Sequence, residues 1–162
     1  MRITSLVECA ARIMVRLASL PAGATLSAEK LSELENISRD YVDQILQRLR
    51  RGTLVASTRG AQGGYSLAKA PSAISIGELV RAVEGQVFEE VCGRYSSGEH
   101  ECTHMSNCGI RPVWQRLGEL IEGFLDKVTL DQLTTSEPKV RSELVLVKDF
   151  DKEGRNQHDK RR

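Results

Sequence analysis

The most constraining feature of this sequence is a pair of short amphipathic segments that are joined by a very short turn. Ser27 is placed to cap the first segment, which carries Leu31 and Leu34 on its inner face. Ser38 is placed to cap the second segment, which ends at Gly52. Two helices joined by a turn as short as Asn36-Ile37 predict a helix-turn-helix.

The hydrophobic period changes directly after this pair of helices. Residues 54–58 and 65–67 have the pattern of two short strands, and the glycine-rich segment 59–64 joins them. Glycines allow such a connection to turn tightly and to lie close to another backbone. A helix-turn-helix that is followed at once by a hairpin predicts a winged helix.

Helices are predicted on both sides of the winged helix. Ser75 is placed to cap a helix that runs through Glu84, and Pro112 lies near the first turn of a long helix. Thr129 is placed to cap one more short helix, which runs through Leu133. A further helix at the N-terminus, ending near Pro21, and the long helix both have apolar residues at helical spacing. In the first these are Ile3, Leu6, Val7, Ala10, Met14, Leu17 and Ala18, and in the second Val113, Leu117, Leu120, Ile121, Phe124, Leu125 and Val128.

The fold class that follows is mainly α with a small β-hairpin: a winged helix-turn-helix plus a long helix. We assign residues 1–85 to the winged helix and 86–111 to a loop without periodicity. Residues 112–135 form the long helix and a short terminal helix, and 136–162 form a tail that we expect to be largely disordered.

Composition excludes several classes of protein. No apolar run reaches the roughly 18 residues that a membrane span needs, and the N-terminus has no basic-then-apolar signal pattern. Four cysteines, three of them in one loop, do not indicate an extracellular disulfide scaffold. We therefore expect a cytoplasmic protein that does not associate with membranes.

The net charge of +1 is unevenly distributed along the chain. Residues 1–70 carry a net charge of +4, residues 71–137 carry −6 and residues 138–162 carry +3. A basic first segment is compatible with binding to nucleic acid, although charge alone does not establish it.

The start of the second helix of the helix-turn-helix carries the candidate DNA contacts. Such a helix lies in the major groove and contacts base edges with polar side chains near its N-terminal end. An arginine at a wing can enter the minor groove. The candidates are Ser38, Arg39, Asp40, Tyr41, Asp43, Gln44 and, in the wing, Arg59. The alternative is a solvated charged face on a winged helix that binds proteins instead of DNA.

The loop 86–111 contains three cysteines with the spacing Cys92-x9-Cys102-x5-Cys108. Thiolates are soft ligands that suit iron–sulfur clusters and zinc. The sequence has no CxxC motif, so a thioredoxin-type redox pair and a zinc ribbon both lose support. His104 could be a fourth ligand, and Glu8 is a further carboxylate on the first helix, beside Cys9. Cys9 itself lies on the apolar side of that helix, as a small core residue would.

Several segments resemble the IscR/NsrR family of bacterial transcriptional regulators, which sense through iron–sulfur clusters. They are MRITS at the start, YVDQILQRLRRGTLVASTRGAQGGYSLAK across helix and wing, ISIGELVRAVEG, the three-cysteine loop, and FLDKVTLDQL. The resemblance implies a homodimer, in which the long helix at about 112–128 packs against its mate. It also implies that the dimer places two recognition helices on a palindromic DNA operator.

The resemblance assigns DNA contacts residue by residue. In IscR-like members a Ser, a Tyr and a Gln of the recognition helix and an Arg of the wing contact DNA. Asp40 stands where the family commonly has Ser, and Asp43 matches an acidic residue that affects which operator class is accepted. The matching contact positions here are Ser38, Asp40, Tyr41, Gln44 and Arg59.

The resemblance also makes Cys92, Cys102 and Cys108 the cluster ligands. IscR has a His three residues after the third cysteine, whereas this chain has Arg111, which cannot ligate iron while protonated. In NsrR-like members an acidic residue on the first helix is donated by the other subunit, and Glu8 matches that position. Glu8 is therefore the first candidate for the fourth ligand, followed by His104 and then by an exogenous ligand or an open site. The cluster type, 2Fe–2S or 4Fe–4S, stays open.

Three other functions remain as alternatives. The first is a regulator whose cysteine loop holds structural zinc, and the second is a winged-helix interaction module that never touches DNA. The third is a thiol-redox protein with one cysteine as nucleophile, but no catalytic base is evident in the sequence. We therefore expect no enzymatic activity.

Overall fold

The protein is described by a computed structural model that covers residues 3–60, 63–87 and 107–146. Within these ranges the chain forms mainly helices and one two-stranded sheet, as the sequence predicts. The elements are α1 (Ser5–Ala18), α2 (Ala28–Glu35), α3 (Arg39–Arg51), β1 (Val55–Thr58), β2 (Gly64–Leu67), a 3-10 turn (Pro71–Ala73), α4 (Ile76–Glu84), α5 (Arg111–Lys127), α6 (Leu130–Leu133) and α7 (Glu137–Leu146).

Side-chain caps fix where several helices begin. The Ser27 hydroxyl accepts a hydrogen bond from the Lys30 amide at 3.1 Å, and Ser75 and Glu78 form a reciprocal capping box. Thr4 caps α1, so α1 begins at Ser5. Ile3 therefore lies outside the helix and is 74% exposed, which corrects its predicted place on the apolar face.

The helix-turn-helix is built around the inner faces of α1, α2 and α3. The turn has Asn36 in the left-handed conformation (φ 53°), and the Ser32 hydroxyl donates to the Ile37 carbonyl at 2.6 Å. Leu34 is 43% exposed, contrary to its predicted inner position, because the buried side of the short α2 is formed by Ala28, Leu31 and Glu35. The fully buried larger side chains at the centre of the core are Ile13, Met14, Leu31, Val42, Ile45, Leu46, Leu49, Leu54, Ile74, Leu79, Val83 and Leu130.

The wing is an antiparallel hairpin in which Val55 pairs with Leu67 and Thr58 pairs with Gly64. The segment before α2 lengthens this sheet through two backbone hydrogen bonds between Leu26 and Tyr65, of 3.0 and 2.8 Å. The predicted hairpin is therefore confirmed. It is attached on one side to the segment that leads into the helix-turn-helix.

Helix α4 packs directly on the end of α3. A Cβ atom at Gly52 would lie 2.6 Å from the Cβ of Ala82, so only glycine allows this close approach. The Arg48 guanidinium donates to the Val83 carbonyl across the same contact. These contacts fix the C-terminal end of the second helix of the helix-turn-helix.

Helices α5 and α6 return to the winged helix at the start of α4. Backbone hydrogen bonds of 2.8 and 3.0 Å join Ile76 to Val128 and Leu130 to Ile74. Arg81 also forms an ion pair with Asp126 at 2.5 Å. The C-terminal end of the long helix is therefore attached to the winged-helix core.

Helix α7 lies within segment 136–162, which the sequence predicts to be largely disordered, and residues 147–162 of that segment lie outside the described residues. The Ser136 carbonyl accepts from the amides of Lys139 and Val140, at 2.9 and 3.0 Å, and Glu137 pairs with Arg141 one turn later. Such local bonds support a helix without an apolar stripe, and an apolar stripe is the signal on which the prediction relied. No helix in the described ranges is long and apolar enough to span a membrane.

Candidate nucleic-acid interface and metal ligands

One end of α3 presents polar side chains away from the core. Val42, Ile45, Leu46 and Leu49 are fully buried, so the opposite side of the helix faces outward. Of the predicted contacts on this helix and its cap position, Ser38, Arg39, Asp40 and Gln44 are exposed, and Tyr41 and Asp43 are half-buried. The structure therefore brings all six predicted residues together at one end of α3.

Ser38 occupies the N-cap position of α3 but makes no capping hydrogen bond with its side chain. This corrects the expected cap. The prediction rested on residue type, and the backbone of Ser38 (φ −59°, ψ 144°) is indeed close to that of Ser27, which does cap α2, but the Ser38 hydroxyl does not bond to the first turn. The exposed hydroxyl is free to contact an external group.

Arg39 and Asp43 form an ion pair one turn apart, with the Arg39 Nε donating to Asp43 Oδ2 at 2.9 Å. The two side chains are 51% and 46% exposed. An exposed pair of this kind contributes about 0.3–0.5 kcal/mol to stability, so its main effect is to orient the side chains.

Arg59 follows β1 directly and is exposed at the start of the wing connection. Gly60 adopts a φ of +125°, a conformation that favours glycine, and its carbonyl accepts from the Gly63 amide at 2.9 Å. The glycines therefore allow the tight turn that the sequence predicts, and Arg59 lies at the edge of the wing.

The orientation of the helix-turn-helix depends on three residues that the sequence analysis did not identify. Glu35 is the last residue of α2, and its side chain is only 7% exposed. Its carboxylate accepts from the Arg12 Nε at 3.2 Å and from the Arg16 Nε at 2.7 Å, and Arg12 also donates to the Glu35 carbonyl. This charge triad of Arg12, Arg16 and Glu35 attaches α1 to the turn before α3. The i, i+4 spacing of the two arginines is visible in the sequence, but nothing there indicates their partner.

Two further ion pairs, Lys69–Glu78 and Arg81–Asp126, hold α4 to its neighbours, and each shifts the pKa of its member on α4. The hydrogen bond from Lys69, at the end of the wing, lowers the pKa of the Glu78 carboxyl, and the Ser75 backbone amide adds to this effect. The hydrogen bond to Asp126 raises the pKa of Arg81, because the bond favours the charged guanidinium. The Glu78 carboxylate and the Arg81 guanidinium are therefore both charged at neutral pH.

Two of the predicted cluster ligands lie in the described part of the chain. Glu8 is exposed in the first turn of α1, and its carboxylate makes no hydrogen bond or ion pair with any residue in the described ranges. Cys108 is a half-buried free thiol three positions before α5. Both are accessible donors, so their chemistry fits a role as metal ligands.

The remaining predicted ligands, Cys92, Cys102 and His104, lie outside the described residues. Across residues 3–60, 63–87 and 107–146, no group of three or more His, Cys, Asp or Glu side chains comes together as a metal site. Cys9 packs partly buried against the core, as predicted for a small core residue.

The long helix α5 exposes an apolar face to solvent. The apolar residues that the sequence places along this helix do not all face the same surroundings. Val128 is buried and Leu125 packs on the core, whereas Val113, Leu117 and Phe124 are exposed. Trp114 and Leu117 are each 39% exposed, and Gly118 is the buried residue of this helix. We define the outer face of α5 as Val113, Trp114, Leu117 and Phe124.

A comparison with protein families assigns the architecture from α1 to α6. The model of the Rrf2 family, described as an iron-dependent transcriptional regulator, matches residues 3–136. The chain belongs to the Rrf2 family. This Rrf2 protein is therefore a DNA-binding transcriptional regulator and not an enzyme.

Curated relatives of this Rrf2 protein include the HTH-type transcriptional regulator IscR from several bacteria. IscR of Klebsiella pneumoniae is 34% identical over 137 residues, which cover 85% of this chain and 82% of the relative. IscR of Yersinia pestis is also 34% identical, with 85% and 81% covered. The resemblance proposed from the sequence is confirmed.

Solved structures of Rrf2 regulators share the fold. CymR of B. subtilis, named as its global cysteine regulator, matches with a TM-score of 0.68 and 28% identity, over 83% of this chain and 96% of CymR. IscR of T. potens matches with a TM-score of 0.63 and 27% identity, over 81% and 84% of the two chains. The predicted winged-helix class is therefore confirmed.

The charge triad predicts a specific pattern of stability losses. R12A and R16A should each lower the free energy of unfolding by about 1 kcal/mol or less, because one arginine still neutralises Glu35. The double variant should lose about 3–5 kcal/mol, because it leaves a buried carboxylate without a cation. Urea denaturation of the two single variants and the double variant measures this. The exposed Lys30–Glu33 pair supplies the control, since K30A should change stability by less than about 0.5 kcal/mol. If the loss of stability in the double variant equalled the sum of the losses in R12A and R16A, the triad would be contradicted.

Proposed function

We propose that this Rrf2 regulator binds a palindromic operator as a homodimer in the cytoplasm and senses redox, nitric oxide or iron–sulfur status through an iron–sulfur cluster. Cys92, Cys102 and Cys108 are the proposed cysteine ligands, and Glu8 is the proposed fourth ligand, with His104 as its alternative. The observation that carries the DNA-binding part is the exposed polar end of α3. Its side chains project outward because four apolar residues fix the opposite side of the helix in the core.

The proposed DNA contacts comprise contacts to bases and contacts to the phosphate backbone. Gln44 has the amide chemistry that bonds adenine in two places, and Tyr41 has a hydroxyl that contacts phosphates or bases. The uncapped hydroxyl of Ser38 is exposed and suits a phosphate contact. Arg59 at the edge of the wing supplies the positive charge for the minor groove or the backbone. Asp40 lies among these residues and is a weaker candidate, because a carboxylate repels phosphate.

The outer face of α5 supports the homodimer. Large apolar side chains on a 17-residue helix are exposed, although the same helix is attached to the core at its C-terminal end. Burying such a face against a second copy removes about 25 cal/mol of unfavourable free energy per Å² of apolar surface. A symmetric pair of these helices would place two α3 helices on the two halves of a palindrome.

The proposed cluster would be held from two parts of the chain. The three thiolates would come from the loop 86–111, and the carboxylate of Glu8 would come from α1. If the NsrR-like pattern applies, this carboxylate is donated by the other subunit. A bound cluster supplies redox chemistry and reactivity toward nitric oxide or oxygen. A hard carboxylate among soft thiolates is the weakest of the four ligands.

Helix α1 connects the proposed ligand to the DNA-binding helices. Glu8 lies one turn before Arg12, and Arg12 contacts both the carboxylate and the carbonyl of Glu35 at the end of α2. A change in the position of α1 therefore acts on the turn that precedes α3. This linkage supports a switch in which cluster occupancy changes the relative positions of the two recognition helices.

For the DNA interface, we expect R59A to weaken binding to duplex DNA and to reduce the slope of log K against log salt by about 0.9, since one phosphate contact is lost. Fluorescence anisotropy between 50 and 300 mM salt measures this on a duplex selected from a random pool. K139A is the matched control, because it removes one exposed positive charge from α7, a helix that packs on α6. If the unmodified protein does not bind DNA more weakly at higher salt, the alternative of a winged-helix interaction module that does not contact DNA is favoured.

For the cluster, we expect anaerobically purified protein to be brown and to contain iron and sulfide in equal amounts. E8A should show an altered visible spectrum and lose its cluster faster in air, because one ligand is removed. E29A is the control, since Glu29 is also an exposed carboxylate in the first turn of a helix. Absorption spectra with iron, sulfide and zinc assays measure this.

Each outcome of this experiment separates two interpretations. A colourless protein with about one zinc per chain would replace the sensor with a structural zinc site. An E8A protein with an unchanged spectrum and unchanged cluster-dependent DNA affinity would exclude Glu8, and H104A would then be the variant to compare.

For the homodimer, we expect L117E to convert the protein to a monomer, because a charge would have to be buried in the apolar contact. Q115E is the matched control, since residue 115 lies two positions away, on the opposite side of the helix. Light scattering after gel filtration gives the mass. Trp114 is the sole tryptophan of the chain, so its emission should shift to longer wavelength in L117E alone. A dimeric L117E protein would place the interface elsewhere.

A further inference from the structure

The ion pair between Arg39 and Asp43 leaves one edge of the guanidinium unoccupied. Arg39 is the first residue of α3, and its Nε donates to Asp43 at 2.9 Å. A guanidinium has five N–H donors, so the Nη1 and Nη2 atoms still present a planar pair of donors. This pair belongs to a side chain that is 51% exposed at the end of the helix that carries the proposed DNA contacts.

Two adjacent, coplanar donors match a particular base. Guanine presents O6 and N7 as two acceptors on its major-groove edge, and no other base presents two acceptors there on one ring system. Adenine offers one acceptor and one donor, so it would place a donor against the second N–H group. An arginine with a free Nη edge at the start of a recognition helix is thus chemically matched to guanine.

We propose that Arg39 recognises a guanine in each half of the operator through its Nη1 and Nη2 atoms, and that Asp43 positions the guanidinium by holding Nε. This inference rests on the proposed binding of α3 in the major groove. Arg39 makes the base contact, and Asp43 is a positioning residue. The acidic residue at position 43 then acts on operator choice through the arginine instead of by accepting a bond from cytosine.

The position of Asp43 explains why the pair suits this task. A free arginine side chain samples many rotamers, and fixing it on a base costs conformational entropy. The i, i+4 spacing places Asp43 on the same side of α3 as Arg39, so the carboxylate restrains the side chain before DNA arrives. The same carboxylate carries a negative charge that would repel phosphates, and the ion pair neutralises that charge.

The test begins with a duplex selected from a random pool by the unmodified protein. Each guanine of the half-site is then replaced by 7-deazaguanine, which lacks the N7 acceptor but still pairs with cytosine. We expect one symmetric position at which this replacement weakens binding of the unmodified protein by about 5-fold or more, because one of the two acceptors of a bidentate base contact is lost. R39A should bind the original duplex with a comparable loss and should no longer distinguish guanine from 7-deazaguanine there.

The variants at position 43 separate positioning from a merely structural role. D43N should retain binding but discriminate less at that guanine, and D43E should restore discrimination, because a glutamate at i+4 still reaches Arg39. R51A is the matched control: it removes a positive charge from the exposed end of the same helix and should weaken binding to both duplexes equally.

The outcomes distinguish this inference from the proposed function. If the protein selects no duplex and binds no DNA, the proposed function fails. If it selects a duplex and R39A retains the full penalty for 7-deazaguanine at every position, the inference is overturned while the proposed function stands. If R39A loses discrimination but D43N does not, Asp43 has no positioning role.

Discussion

The buried carboxylate of Glu35 is the interaction on which the arrangement of the DNA-binding helices depends. A carboxylate that is 7% exposed is costly unless cations and hydrogen bonds compensate for its lost hydration, and Arg12 and Arg16 supply both. Both cations come from α1, whereas Glu35 ends α2 directly before the turn into α3. Helix α1 therefore cannot move away from that turn without uncovering a charge, and the three helices behave as one body.

The triad also determines the state of Glu8. A glutamate four residues before an arginine on one helix ordinarily forms an ion pair with it. Here the guanidinium of Arg12 is turned toward Glu35, to which its Nε and Nη2 donate, and Glu8 makes no ion pair within the described ranges. The carboxylate that the sequence resemblance assigns to the cluster is thus left without a cation that would compete with a metal. Arg12 therefore contributes to fixing the helix-turn-helix, and its orientation toward Glu35 leaves Glu8 available.

Much of the fold follows from local signals, because capping residues and apolar periods act over a few positions. Ser27, Ser75 and the glycine-rich wing connection were sufficient to predict where the elements begin and turn. The differences from the prediction have local causes as well. Ser38 has the residue type of a cap without its bond, and α7, inside a segment predicted to be largely disordered, is supported by backbone bonds and a charge pair instead of an apolar stripe. The charge triad could not be predicted, because its members are 19 and 23 positions apart and meet only in the folded chain.

Helix α3 separates the requirements of folding from those of recognition. Its inner side is fully buried, so substitutions there would cost stability. Its outer side contributes little to stability, because an exposed pair such as Arg39–Asp43 is worth only a few tenths of a kcal/mol. Asp40, which stands where the resemblance to IscR-like members expects Ser, lies on this exposed side. Substitutions on the outer side of α3 can therefore change the DNA preference while the scaffold stays constant. At the Arg39–Asp43 pair, beside Asp40, such a substitution would change the proposed recognition of guanine.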